Sequence, residues 1–306
     1  MTAEPRLPNL FIVGAPKCGT TAWAHYLGSH PDIFFPPNKD HCVFAGDLPN
    51  IRLVGTPEDY AAQFADSAGA QIVGEASAMY LFSEAAAAAI KAHNPTAKIL
   101  IFLRAQEDFL PSLHNQFRRE FAEEVTDFEM AWRLSGQRPV ETIPTGCLEP
   151  RTLDYAAMGR FAEQVERYLD AFPSEQVHVV QFKDWTGEPR AAYLEILGFL
   201  GLADDGRSDF PPVNAGATYR SRRLARWIMR PPRPARKAAR LIRAFPGGGW
   251  LDKTARTIGF RSMPGYASEI SQALRDEIRR YYAAENRRLA ERLGRPSRIA
   301  STRPER

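Results

Sequence analysis

The chain has 306 residues, enough to bury a full core, and its composition is that of an ordinary globular protein, with 44% hydrophobic and 25% charged residues. Net charge is only +4, and the positives are unevenly placed. Cys18, Cys42 and Cys147 are odd in number and widely spaced, which speaks against a disulfide framework or a metal site, and no apolar run approaches membrane-spanning length. That cysteine usage makes a reducing cytoplasm the expected compartment, and residues 1–9 hold no apolar signal core.

Leu10–Val13 is a short continuous apolar run, the pattern of a buried parallel strand. The stretch from Gly14 to Gly19 cannot continue it and reads as a tight loop. Thr20 and Thr21 then open a helix that carries Trp23, Tyr26 and Leu27. Strand, glycine loop and helix N-terminus together expose backbone N–H groups and positive dipole potential. Lys17 and the two hydroxyls complete a cradle for a multiply charged anion, a phosphate or a sulfate. The loop departs from the nucleoside-triphosphate pattern G-x-x-x-x-G-K-[ST]: Thr20 stands where the lysine belongs.

Further on, Ile33–Phe35 is a short apolar run stopped by Pro36 and Pro37. Lys39, Asp40 and His41 form a charged cluster directly before Val43 and Phe44, as in a loop held against the core. Residues 48–70 read as an excursion with one short helix near Glu58–Ala65. Gln71–Glu75 is strand-like, so the Glu75 carboxylate falls at the ligand edge of an α/β sheet. Such a carboxylate serves either as a general base or as a structural ion pair. His41 is the rival base, or simply a solvated loop histidine.

Ser83 caps a helix through His93, and Asn94-Pro95 ends it. Lys98–Leu103 is the clearest buried strand, and it terminates in Arg104. An arginine there needs an anion or a carboxylate. A helix follows over about 107–123, with Ser112 on its second turn. Residues 124–150 show little periodicity and form a candidate lid on the acceptor side. The next helix spans about 154–172, with an apolar stripe that is core packing. Val177–Phe182 is a strand, and Pro189 starts another helix. Between Tyr219 and Arg243 stand ten Arg or Lys residues and no acid, interleaved with Leu, Trp, Ile and Met. That stretch is a solvated basic face, a contact with an anionic membrane, or a polyanion site, and no nucleic-acid motif accompanies it. The last helix, about 268–293, has the stripe Ile270, Leu274, Ile278, Tyr281, Leu289 and Leu293.

The string APKCGTTAW resembles the phosphosulfate loop of sulfotransferases that use 3′-phosphoadenosine 5′-phosphosulfate (PAPS), particularly the carbohydrate-sulfotransferase group. Arg104 followed by Ser112 resembles the family's 3′-phosphate signature. Lys39 matches a lysine near the transferring sulfate, with Asp40 in place of the family's glutamate. Glu75, Ser77 and Tyr80 resemble a strand end in which the glutamate is a candidate base. Arg261 and Pro264 match part of a loop that closes over the nucleotide. The resemblance implies a P-loop-NTPase-like sulfotransferase fold: three-layer α/β, with a mainly parallel central sheet flanked by helices. One domain over 1–306 is expected, with an ordered core of about 9–295 and the basic segment 219–243 as an excursion.

In this reading Lys17, Cys18, Gly19, Thr20 and Thr21 hold the phosphosulfate, and Arg104, Ser112 and Arg261 hold the rest of the nucleotide. Lys17 also stabilises the leaving oxygen, Lys39 assists it, and Glu75 or His41 takes the acceptor proton. No metal is implied. The acceptor is a hydroxyl on a sugar, glycolipid or other small molecule. Richness in Ala and Arg suggests a bacterial protein, in the cytoplasm or peripheral at the inner face of the membrane. Two alternatives stay open: a kinase or NTPase with an atypical loop, and a non-catalytic membrane-surface binding protein.

Overall fold

The computed structural model describes residues 7–213, 217–219, 260–262 and 270–294. Five short strands, β1 (Leu10–Gly14), β2 (Ile33–Phe34), β3 (Ile72–Ala76), β4 (Lys98–Leu103) and β5 (Val177–Gln181), form a parallel sheet in the order β2-β3-β1-β4-β5. β1 and β3 are buried along their whole length, as expected for a sheet covered on both faces. The α-helices among the described residues are α1 (Thr20–Leu27), α2 (Pro57–Ala62), α3 (Ala86–His93), α4 (Gln106–Arg119), α5 (Phe128–Arg133), α6 (Tyr155–Met158), α7 (Phe161–Ala171), α8 (Phe182–Gly187), α9 (Pro189–Leu200) and α10 (Gln272–Arg292). A separate antiparallel pair joins β6 (Ala217–Tyr219) to β7 (Phe260–Ser262), with Thr218 opposite Arg261.

Parallel strands of this order need crossover connections, which are right-handed as a rule. From β1 the chain moves outward through α1 to β2, and from β3 it crosses over β1 through α3 to β4. Steps in opposite directions place α1 and α3 on opposite faces and open a crevice at the strand ends beside β1. Trp23 of α1 is fully buried. It stacks on Phe102 of β4 at 5.5 Å and on Tyr193 of α9 at 6.5 Å, and meets Trp185 edge-on at 5.8 Å. Each such aromatic pair adds about 0.5–1.5 kcal/mol beyond its buried area. On the other face α7 packs against α3, β4 and α10.

The helix expected over 154–172 is broken into α6 and α7. The final carbonyls of α6 are satisfied by side chains instead of by a continued helix. Tyr282 Oη donates to Ala156 O at 2.9 Å, and Gln164 Nε2 donates to Ala157 O at 3.1 Å and Met158 O at 3.2 Å. Gly159 makes room for this: a Cβ there would stand 2.3 Å from Tyr282 Oη. The stripe of α10 also needs correcting. Leu274, Ile278, Tyr282, Asn286 and Leu289 are buried, whereas Tyr281 is 51% exposed. Asn286 and Gln106, the first residue of α4, exchange two amide hydrogen bonds of 2.9 and 3.1 Å. The expected long loop after α4 contains α5, capped by the Asp127 carboxylate accepting from Met130 N at 2.9 Å.

Gly159→Ala is expected to lower stability by about 1–3 kcal/mol through overpacking. Denaturant unfolding checks this, and the loss should shrink in a Tyr282→Ala background, where the clash is gone.

Candidate active site

The loop between β1 and α1 lies at the C-terminal edge of the sheet. Ala15 N donates to Phe102 O at 2.7 Å, which ties the loop to the end of β4. Lys17 has φ 63° and Gly19 φ 94°, so the backbone turns twice through the left-handed region before the helix starts. Gly19 is the N-cap of α1, and a Cβ on it would meet the Trp185 ring at 2.4 Å. A glycine is required here both by conformation and by space. Cys18 is fully buried, and burial pushes its thiol up to about 12, so it contributes its backbone and not a nucleophile.

Lys17 carries the clearest electrostatic signal. Burial, and then the nearby Arg119 and Arg104 charges, bring its ammonium down to about 8. Glu120 acts in the other direction. Arg104, at the end of β4, lays its guanidinium 4.6 Å from the centre of the Phe182 ring, which holds its plane. Ser112 is half-buried on α4. The structure therefore gathers Lys17 and Arg104 at one edge. It adds Arg119 and Glu120 from the end of α4, which belong to no motif. Glu120 accepts from Gln116 Nε2 at 2.9 Å, and burial raises its carboxyl. Asp40 is hydrogen-bonded to Ala76 O at 2.8 Å and Ala78 N at 3.2 Å, and a Cβ on Gly14 would stand 2.7 Å from Ala78 O, so the Lys39–Asp40 segment borders the start of the β1–α1 loop.

Glu75 departs from the expected arrangement. Its side chain is fully buried and accepts from three hydroxyls: Ser77 at 2.7 Å, Tyr80 at 2.8 Å and Tyr60 at 2.6 Å. Burial and the Glu75 charge push the Tyr60 and Tyr80 phenols far above their usual range, so both remain donors. Hydrogen bonds to a charged group stabilise by about 1.5–3 kcal/mol each, which is what makes a buried carboxylate tolerable. His41 is also buried, with Nδ1 3.8 Å from Glu75 Oε1 and its ring edge-on to Tyr60. A general base must reach the proton it removes. As they stand, Glu75 and His41 are enclosed. The carboxylate here with access to the surface is Asp40, 39% exposed and paired with Lys39, itself 33% exposed. The side chain of Arg261 and residues 220–243 lie outside the described residues.

The lowered Lys17 makes a signed prediction. Above pH 8 the free protein holds this amine largely neutral, and a bound polyanion favours the charged form. Binding of 3′-phosphoadenosine 5′-phosphate at pH 8.5 should therefore take up protons and weaken as pH rises further. Calorimetry in buffers of different ionisation enthalpy measures that uptake, which Lys17→Ala should abolish.

The comparisons with known proteins agree with this geometry. The sulfotransferase domain family model matches residues 7–209. A crystal structure of a sulfotransferase from Alicyclobacillus acidocaldarius superposes with a TM-score of 0.68 at 27% identity, covering 95% of this chain and 97% of that one. The mouse bifunctional heparan sulfate N-deacetylase/N-sulfotransferase 1 is 27% identical over 210 residues, 64% of this chain. The match spans only 22% of that relative's length. The membrane-associated sulfotransferase kil1 of Dictyostelium discoideum is 22% identical over 282 residues, covering 68% of this chain and 59% of its own. With a family match over most of its length, the chain belongs to the sulfotransferase family.

Proposed function

We propose that the protein transfers a sulfuryl group from PAPS to an acceptor hydroxyl, on a carbohydrate, glycolipid or other small molecule. The observation that carries this reading is Lys17: an ammonium lowered to about 8 in a glycine loop at a helix N-terminus, with Arg104 in electrostatic reach. Such a site is short of anion, and a nucleotide with separate 5′ and 3′ phosphates fits its two ends.

PAPS supplies the sulfuryl group when bound. The backbone of Cys18 and Gly19, with the Thr20 and Thr21 hydroxyls, holds the 5′-phosphosulfate. Lys17 neutralises charge on the leaving oxygen, and Lys39 shares that task. Aimed charges of this kind are usually the largest catalytic contribution. Arg104 and Ser112 hold the 3′-phosphate, and Arg261 adds a further contact. Asp40 takes the acceptor proton in place of the enclosed Glu75 and His41. Lysine and arginine supply the positive charge, so the reading needs no metal. The N-sulfotransferase names of the relatives favour an amine acceptor as the second reading.

No described helix is long and apolar enough to cross a membrane. The basic segment 219–243 suits peripheral contact with an anionic membrane from the cytoplasmic side, and binding to anionic but not neutral liposomes would support that.

Titration with 3′-phosphoadenosine 5′-phosphate, ADP and ATP·Mg²⁺ tests the nucleotide. Preference for the 3′-phosphorylated ligand is expected, and it should fall by tenfold or more in Arg104→Ala, on the order of 1.5–3 kcal/mol for a charged hydrogen-bonded pair. Lys17→Ala should lower transfer from labelled PAPS by about a hundredfold or more. Preference for ATP·Mg²⁺ would sink the proposal in favour of a kinase or NTPase.

A further inference from the structure

The buried Glu75 cluster reaches beyond its own strand. Ser77 Oγ donates to Glu75 and also accepts from Cys42 N at 3.1 Å. Tyr80 Oη donates to Glu75 and accepts from Phe44 N at 3.3 Å. Asp40 N donates to Ala76 O at 2.8 Å, and the Asp40 carboxylate accepts from Ala78 N at 3.2 Å. The segment held this way is strained. Asp40 and Cys42 are both non-glycine residues at positive φ, 61° and 54°. It also carries Lys39 and Asp40 to the anion loop.

A hydroxyl can donate one hydrogen bond and accept others. A carboxylate only accepts, so Glu75 commits the protons of both Ser77 and Tyr80 inward. Their lone pairs are then left for the two backbone N–H groups. A side chain at position 75 with no acceptor oxygen facing Ser77 and Tyr80 would let these hydroxyls turn and set donor against donor.

We propose that Glu75 is a positioning residue: it polarises Ser77 and Tyr80 so that they grip the backbone of Cys42 and Phe44 and hold Lys39 and Asp40 at the transfer site. The proposal rests on the sulfuryl-transfer reading for its effect on turnover, but not for the brace itself.

Two substitutions separate this role from proton transfer. In Glu75→Gln the amide oxygen still faces Ser77 and Tyr80, while its NH₂ meets Tyr60, whose hydroxyl turns to accept. PAPS turnover with N-desulfated heparin as acceptor should stay within about threefold in Glu75→Gln, and fall tenfold or more in Glu75→Ala, Ser77→Ala and Tyr80→Phe. Binding of 3′-phosphoadenosine 5′-phosphate should be nearly unchanged in all four. Ser77→Ala should have little further effect in a Lys39→Ala, Asp40→Ala background, the non-additivity of residues acting through one another.

Amide hydrogen exchange reads the brace without any acceptor. Exchange should rise at Cys42 in Ser77→Ala, at Phe44 in Tyr80→Phe, at both in Glu75→Ala and at neither in Glu75→Gln. Should Glu75→Ala fail to fold, the Ser77 and Tyr80 variants still decide. A Glu75→Gln protein as inactive as Lys17→Ala would make Glu75 itself the proton acceptor and overturn the proposal, as would unchanged exchange in the hydroxyl variants. A wild-type protein that binds no 3′-phosphorylated nucleotide would instead remove the functional reading, with exchange still judging the brace.

Discussion

Like charges crowd the C-terminal edge of this sheet. Arg119 and Arg104 act on Lys17 there, and burial together with their charges brings the lysine down to about 8. No fold collects three cations in a partly dehydrated crevice without a cost to the empty protein. Glu120 offsets part of that repulsion, and a polyanionic ligand would offset more. Relief of the free state's unfavourable charge would thus add to the affinity for such a ligand.

Holding those charges together requires stiffness, and the supply is mostly aromatic. Trp23 sits between Phe102 on the sheet and Tyr193 on α9, while Trp185 closes against Gly19. The anion loop is therefore pinned by the packing of one face and by the Ala15–Phe102 backbone hydrogen bond. The opposite side of the crevice is held differently, by a buried carboxylate and hydroxyls. One wall depends on shape and the other on the direction of protons.

What could be read from the chain was what is local. The apolar run to Val13, the glycines at 14 and 19, and the strand ending in Arg104 each declare themselves within a few residues, and the parallel sheet follows from their alternation with helices. The role of Glu75 could not be read this way, because its partners come from positions 60, 77 and 80 and its enclosure depends on the docking of α2. Arg119 and Glu120 belong to no sequence motif; only the direction of α4 brings them to Lys17. The apolar stripe points to Tyr281 in place of the buried Tyr282 because Asn286, polar yet buried against Gln106, hides the true face of α10. The break at Gly159 has the same origin, since Tyr282 arrives from more than a hundred residues away.

The reciprocal amide pair between Gln106 and Asn286 spans 180 residues of sequence and sits two positions past Arg104. During synthesis, β1, β3 and β4 emerge early and can pair while the rest of the chain is still being made. The first turn of α4 is sealed only when α10 has left the ribosome. The end of β4 that carries Arg104 is thus completed only then, and under the proposed PAPS reading a nascent chain with its β1–α1 loop already formed would still lack a finished 3′-phosphate contact. Closing so long a contact is slow by its topology. Full nucleotide affinity would then report that the protein has been made through α10.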